Sequence, residues 1–352
     1  MKLRLRMTHQ LRMTPRWFLI TLASVAFLGA IPALAQNEAS WKVPRTSDGH
    51  PDLQGIWTNK TITPLERPKD LGNKAFFTPE EAKAYTQSTL ARNDKDQRGG
   101  GVRDVLNAYN AFWWDSGTKV LRNMRTSIIT DPPDGRIPPL TPHRQAQLRE
   151  QAEAVKVRCQ RPGCAITNGG QPGPADKAED LDLMTRCISF GTVVPMLPSA
   201  YNNDYQIVQA PGVVAIDTEM VHEVRRIPTD GSPHLPPSVR EWIGDPRGHW
   251  EGDTLVVDST NFTGETRVRG ADENLHLIER FTRVGPDTLL YQFTVDDPTA
   301  FTKPWSGEIP MGKTDGLLYE YACHEGNIGM KDIIAAAQAD EKKAAGQPAG
   351  KK

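Results

Sequence analysis

The sequence predicts a mainly β fold: a β-rich α+β chain whose antiparallel meander forms a barrel or a sandwich. In the second half of the chain, runs rich in Val, Ile, Leu, Thr, Tyr and Phe alternate with turn sequences such as Pro211-Gly212 and Asp230-Gly231. No helical pattern intervenes within these runs, which favours direct hairpin connections. The 29 Gly and 28 Pro among 352 residues indicate many turns and long loops.

The first 35 residues have the three parts of a secretory signal peptide. Residues 1–16 carry five Lys or Arg and no acid, residues 17–31 are mainly apolar, and Ala33-Leu34-Ala35 is a small-x-small cleavage pattern. The apolar run is short and interrupted for a transmembrane helix, although an uncleaved anchor is the alternative. Without an Arg-Arg pair, we expect a Sec-type signal, a mature chain from about Gln36, and a periplasmic or secreted protein with no membrane span after signal removal.

Residues 36–187 are expected to be the loop- and helix-rich part of a single domain. Thr78 followed by Pro79 and two acids is typical of a helix N-terminus, and Thr141-Pro142 repeats the pattern. The expected elements are a strand at 52–59, a helix from Thr78 to about Ala91, a strand at 126–130, a turn at 131–135, a helix from Thr141 to about Val157 and a loop at 160–178.

Residues 188–327 are expected to be the strand-rich, barrel-like part of the same domain, which ends near residue 340. The expected strands are 205–209, 213–224, 254–258, 275–284, 288–295 and 319–323. A short amphipathic helix follows at about 329–340. Residues 341–352 are mostly Lys, Ala and Gly, which predicts a disordered tail.

Charge and cysteine content narrow the class of protein. The net charge is −1, and about −6 once the basic signal peptide is removed, so no basic surface for nucleic acid is expected. Four cysteines in an exported chain predict disulfides with three possible connectivities. The favoured pairs are the local Cys159–Cys164 and the long-range Cys187–Cys323, which spacing alone does not prove. A zinc site is disfavoured, because no second Cys or His pair has the spacing of a zinc finger.

Motifs of several enzyme classes are missing from the sequence. It has no Gly-x-Ser-x-Gly elbow, P-loop, dinucleotide fingerprint, His-Glu-x-x-His or Cys-x-x-Cys-His. Serine hydrolases, nucleotide enzymes, zincins and c-type cytochromes are therefore disfavoured.

Histidines beside carboxylates and arginines are the remaining candidates for a site. His supplies a proton donor or acceptor near neutral pH, a carboxylate orients it, and Arg binds a carboxylate or a developing oxyanion. In the strand 275–284, His276 shares one face with Arg280, while Glu279 points to the other. The candidate catalytic residues are His222, His276, Glu279, Arg280, His324, Glu325 and Asp258, and the candidate ligand-binding residues are Arg226, Trp250 and Trp305.

Several functions fit this pattern. The first is a binding barrel for a small apolar or aromatic molecule, whose polar end is fixed by Arg226 or Arg280. The second is a cofactor-free acid–base hydrolase, lyase or isomerase. A metal-dependent variant holds zinc or a similar ion with His222, His276 and His324, and an envelope structural protein is a further alternative. No other cofactor is expected.

Two resemblances extend these expectations. Gly55-Ile56-Trp57 and Gly248-His249-Trp250 resemble the opening Gly-x-Trp motif of lipocalins and related calycin barrels, in which the Gly allows close backbone approach and the Trp plugs one barrel end. The chain departs from that family because about 145 residues separate Trp57 from the main strand block. Segments 44–57, 126–142, 243–262, 279–298 and 319–327 resemble a large group of uncharacterised exported proteins from soil Proteobacteria and Acidobacteria, which implies one family unit rather than two fused domains.

Overall fold

The computed structural model describes residues 41–94, 96, 114–166, 172–191, 193–266, 268–323 and 325–346. The expected signal peptide and cleavage site lie outside this part of the chain. The strands are β1 (Gly55–Thr58), β2 (Ile129–Asp131), β3 (Cys164–Ile166), β4 (Pro172–Pro174), β5 (Asp204–Ala210), β6 (Val213–Thr218), β7 (Glu223–Pro228), β8 (Asp245–Glu251), β9 (Thr254–Thr260), β10 (His276–Gly285), β11 (Thr288–Asp296) and β12 (Trp305–Thr314). The α-helices are α1 (Pro79–Asn93), α2 (Pro142–Arg158) and α3 (Ile328–Ala344).

The fold is mainly β, as predicted, and its centre is a nearly closed, barrel-like antiparallel sheet of nine strands. Their order is β7-β6-β5-β1-β12-β11-β10-β9-β8, and β2 adds to β12. Two hairpin meanders, β5–β7 and β8–β12, are therefore joined through β1, which pairs with β5 on one side and β12 on the other. The first strand in the chain, β1, thus joins the two meanders into one sheet, which the later strands cannot do alone.

The seam of the barrel lies between β7 and β8. Because nine strands alternate in direction, these two edge strands run the same way, so no antiparallel ladder joins them. Side chains fill the seam instead: a Cβ on Gly248 would lie 2.9 Å from Ile227 Cγ2 and 2.8 Å from Thr229 Cγ2. Glycine is needed at this position for the two edges to approach.

The connection between β7 and β8 folds back over the outer face of β8. Arg247 Nε donates to the Pro233 carbonyl at 2.8 Å, and the Leu235 amide donates to Asp245 Oδ2 at 2.8 Å.

The barrel interior is filled by the chain's own side chains. Along β10, β11 and β12 buried and partly exposed residues alternate, as the period of a strand requires. The largest side chains that are fully buried include Trp57, Trp305, Tyr205, Tyr291, Phe281 and Phe293.

A short segment, residues 193–198 (the plug), closes the end of the barrel at which β1 ends and β7 begins. Its residues Val193, Val194, Met196 and Leu197 are buried. The Met196 amide donates to the Tyr291 hydroxyl at 3.0 Å, and Asn59 Nδ2 donates to the Met196 carbonyl at 3.0 Å. The plug is thus hydrogen-bonded to the interior of the barrel.

Both favoured disulfides are confirmed. Cys159–Cys164 joins the end of α2 to β3, and Cys187–Cys323 joins the segment before the plug to the segment before α3. Asn327 strengthens the second connection, because its Nδ2 donates to the Thr185 carbonyl at 3.0 Å. No helix among the described residues is long and apolar enough to cross a membrane.

The two N-terminal helices begin where the sequence predicts. Thr78 and Glu81 form a reciprocal capping box at α1, and the Thr141 hydroxyl accepts from the Arg144 amide at 3.1 Å at α2. Both helices extend one or two residues beyond the predicted ends.

Several predicted elements are wrong in detail. Residues 319–323 are not a strand: they lie outside both sheets, and Cys323 is held by its disulfide to Cys187. Residues 213–224 form β6, a turn and the start of β7. The loop at 160–178 contains the β3–β4 hairpin. The strands β8 and β12 were not predicted, and α3 continues to Ala344, so the first residues of the expected disordered tail are helical.

Candidate ligand-binding site

A buried ion pair crosses the barrel interior. Arg225 in β7 and Glu279 in β10 are fully buried, and the guanidinium binds the carboxylate through both Nη atoms, with Nη1 and Oε1 3.0 Å apart. The Tyr291 hydroxyl donates to the same Oε1 at 2.9 Å. Burial would lower the pKa of Arg225, but the attraction of Glu279 outweighs it and raises that pKa. Glu279, a candidate catalytic residue, therefore points into the barrel interior and has no access to solvent.

A cavity of about 260 Å³ (the mouth cavity) lies beside the plug at the same end of the barrel. Apolar side chains dominate its wall. They are Leu183, Met184, Phe190, Val194, Trp242, Ile243 and Val268. Such a wall favours an apolar or aromatic group.

One hydrogen-bonded pair adds a polar end to this cavity. Ser189 lines the wall, and its hydroxyl donates to Glu223 Oε2 at 2.7 Å. Burial raises the pKa of Glu223, although the Ser189 hydrogen bond and the charge of Arg225 oppose the shift. Glu223 is not itself among the described residues that line the cavity, so its polar contact to a ligand runs through Ser189.

The rim of the mouth cavity is held by Arg186. Its guanidinium lies 5.7 Å from the centre of the Trp242 ring, and its Nη1 is 2.7 Å from Glu265 Oε2. The adjacent Cys187 is bound to Cys323. The disulfide therefore restrains the backbone that carries this wall.

A second cluster lies on the outer face of β8–β10. His276 Nε2 is 3.0 Å from Asp258 Oδ2, which brings two predicted site residues together. His234 Nε2 is 3.2 Å from the other oxygen of Asp258, and His234 Nδ1 is 2.9 Å from Asp245 Oδ2. Asp245 is buried, whereas Asp258 and His276 are partly exposed. The arrangement suits proton transfer at the surface.

No known protein-family model matches the chain. No curated protein matches it either. Function therefore has to be inferred from the site itself.

The remaining candidates do not join either cluster. His222 lies in a 3-10 turn rather than a strand, with positive φ and an exposed side chain near Asp217. Arg226 is exposed on β7, because Arg225 takes the inward position. Arg280 Nη2 donates to Glu251 Oε2 at 2.6 Å on the outer face.

The two tryptophans also lie outside the mouth cavity. Trp250 stacks on His50 with ring centres 4.8 Å apart, whereas Trp305 is fully buried against Phe293 and Phe301. His324 lies outside the described residues, as does the side chain of Glu325. Among the residues that the structure describes, no group of three or more His, Cys, Asp or Glu side chains could hold a metal ion.

Sequence reasoning missed Ser189, Glu223, Trp242, His234 and Asp245. One signal was available: strand alternation places Glu223 and Arg225 on the inward face, opposite His222. The others lie in loops or at a strand end, where no period exists.

Proposed function

We propose that this protein is a periplasmic or secreted binding barrel that takes a small apolar or aromatic molecule in the mouth cavity. The observation that carries the proposal is the apolar cavity with Ser189 at its wall, where the Ser189 hydroxyl donates to Glu223. The N-terminal signal sequence and the two disulfides support an oxidising compartment.

The size of the cavity limits the ligand. A dry cavity of about 150 Å³ accepts benzene, and drug-sized sites begin near about 300 Å³. A volume of about 260 Å³ therefore suits one substituted ring or two small fused rings. The Ser189–Glu223 pair favours a ligand with a hydroxyl or another hydrogen-bonding group on the ring.

The test is binding of p-cresol and toluene to the purified mature chain, measured by calorimetry. Ile243→Trp fills the cavity and is expected to weaken binding of both compounds at least tenfold. The matched control is Val208→Trp, an exposed position on β5. Ser189→Ala is expected to weaken p-cresol binding by roughly 2- to 13-fold, which corresponds to the loss of a hydrogen bond of about 0.5–1.5 kcal/mol. Toluene binding should stay unchanged. Absence of binding, or equal binding by Ile243→Trp, refutes the proposal.

A second candidate function is acid–base catalysis at the outer cluster. The specific observation in its favour is that buried Asp245 holds His234 while Nε2 stays at the partly exposed surface beside Asp258. Hydrolysis of p-nitrophenyl acetate above the rate of free imidazole tests it. His234→Ala should abolish the excess rate, and the control is His143→Ala, which replaces an exposed histidine in α2.

A further inference from the structure

A second cavity of about 260 Å³ lies on the other side of the plug. Val194 lines the mouth cavity, whereas Leu197, Pro198 and Ser199 line the second one. The opposite wall comes from the segment that leaves β1, including Thr61 and Thr63. The two cavities thus share the plug as a partition.

The second cavity differs from the first in its charged residues. Asp182 and Glu265 line the mouth cavity, but no carboxylate is among the described residues that line the second cavity. Its polar lining residues are four that carry hydroxyls, Asn93 and Arg269, and apolar residues such as Ile62, Leu65 and Leu197 complete the wall. This composition favours an anion with further polar groups over an apolar molecule.

Arg269 is available to a ligand. It is exposed, and none of the described residues forms an ion pair with it. Its backbone has a φ of 55° and is held in a tight turn in which Val268 and Ala271 exchange backbone hydrogen bonds of 3.0 and 3.1 Å. An arginine without a carboxylate partner, on a restrained backbone, suits capture of an oxyanion.

Thr63 supplies an independent observation. Its side chain is only 3% exposed, and its hydroxyl oxygen accepts from the Leu121 amide at 2.9 Å. Within the described part of the chain no acceptor is found for its hydroxyl proton. A buried donor without an acceptor is costly, and a ligand oxygen in the cavity would satisfy it.

We propose that the second cavity binds a small hydroxylated carboxylate. Arg269 pairs with the carboxylate, the Thr63 hydroxyl donates to a ligand oxygen, and Ser116 at the cavity wall lies beside the ligand's own hydroxyl groups. The volume exceeds what a single inorganic oxyanion fills, since one water occupies about 30 Å³ of liquid. This site is separate from the mouth cavity and does not depend on it.

The test is calorimetric titration of the mature chain with malate, phosphate and glycerol. Malate is expected to bind saturably and at least tenfold more tightly than phosphate or glycerol. Arg269→Gln should weaken malate binding at least tenfold. The control is Arg226→Gln, which replaces an exposed arginine on β7 and should leave malate binding unchanged. Thr63→Val should weaken malate binding several-fold, and Thr63→Ser should bind malate as tightly as the unchanged protein. The comparison separates loss of the hydroxyl donor from a packing defect.

Other results overturn the proposal. If malate does not bind, the site does not exist. If Arg269→Gln binds malate as tightly as the unchanged protein, the guanidinium has no role. If phosphate binds as tightly as malate, the site is not selective for a carboxylate. Glycerol as tight as malate excludes an anion site. Saturating p-cresol should leave malate affinity unchanged, so failure at either cavity can be told apart from failure at the other.

Discussion

Replacing Glu279 by Gln tests whether the barrel depends on its interior ion pair. Glu279 accepts from both Nη atoms of Arg225 and from the Tyr291 hydroxyl, and the Arg225 and Glu279 side chains are 0% exposed. The variant keeps the shape of the side chain but leaves a cation in the interior without its counter-charge. Loss of one partner from a buried pair costs about 3–5 kcal/mol, so we expect a decrease of that size in the free energy of unfolding.

The reciprocal experiment removes both charges. Arg225→Met with Glu279→Leu leaves no uncompensated charge, and replacing buried pairs by apolar residues is often neutral or stabilising by about 1–4 kcal/mol. We therefore expect the double variant to recover most of the stability that Glu279→Gln loses, less the hydrogen bond of Tyr291.

The measurement is urea unfolding with the disulfides intact, followed by circular dichroism and by tryptophan fluorescence. A loss below about 1 kcal/mol in Glu279→Gln would refute the reasoning. A double variant no more stable than Glu279→Gln would show that packing, and not the isolated charge, sets the cost. The outer-face variant Arg280→Gln is the control, because its partly exposed pair with Glu251 should contribute no more than about 1 kcal/mol.

Three further predictions concern the disulfide, the pH dependence and the seam. Cys187→Ala with Cys323→Ala opens a loop with a sequence separation of 136, which should cost about 5 kcal/mol by chain entropy and should also weaken p-cresol binding. Because burial raises the pKa of Glu223, its carboxylate binds a proton more tightly in the native state than in the unfolded chain. Stability should therefore fall as pH rises above the ordinary value of 4.5, and Glu223→Gln should flatten that fall in urea unfolding at pH 4–8. Gly248→Ala should lose about 1–3 kcal/mol through overpacking, whereas Gly285→Ala, with its nearest atom at 3.8 Å, should be close to neutral; equal losses would argue against the close contact at the seam.

Alternation along single strands was readable from the sequence. The pattern in β10 predicted that Glu279 and Arg280 point in opposite directions, and they do. The partner of Glu279 was not readable, because Arg225 is 54 residues away and meets it only when β7 and β10 curve around the same interior. The sequence prediction named Arg226 as the ligand-binding arginine, but Arg225 is the one that faces the interior. A difference of one residue along a strand moves a side chain to the other face.

Only part of the candidate site could be predicted. His276 and Asp258 are partners because they lie on the outer faces of strands that are adjacent both in the chain and in the sheet. Their neighbour His234 comes from the connection between β7 and β8, and the mouth cavity is assembled from loops before the plug, before β8 and after β9. Loops have no period, so their meeting points are set by the elements they join.

The sequence by itself determined the β class, the presence of disulfides, the starts of α1 and α2, and the inward or outward direction of residues in the longer strands. These features depend on local signals: alternation, capping residues, turn residues and cysteine count. Tertiary structure alone decided the sheet order with β1 between β5 and β12, the plug, the Arg225–Glu279 pair and the two cavities beside the plug. Each of these is a contact between distant segments, and the free energy that selects it comes from burial and pairing in the closed barrel, which no local pattern encodes.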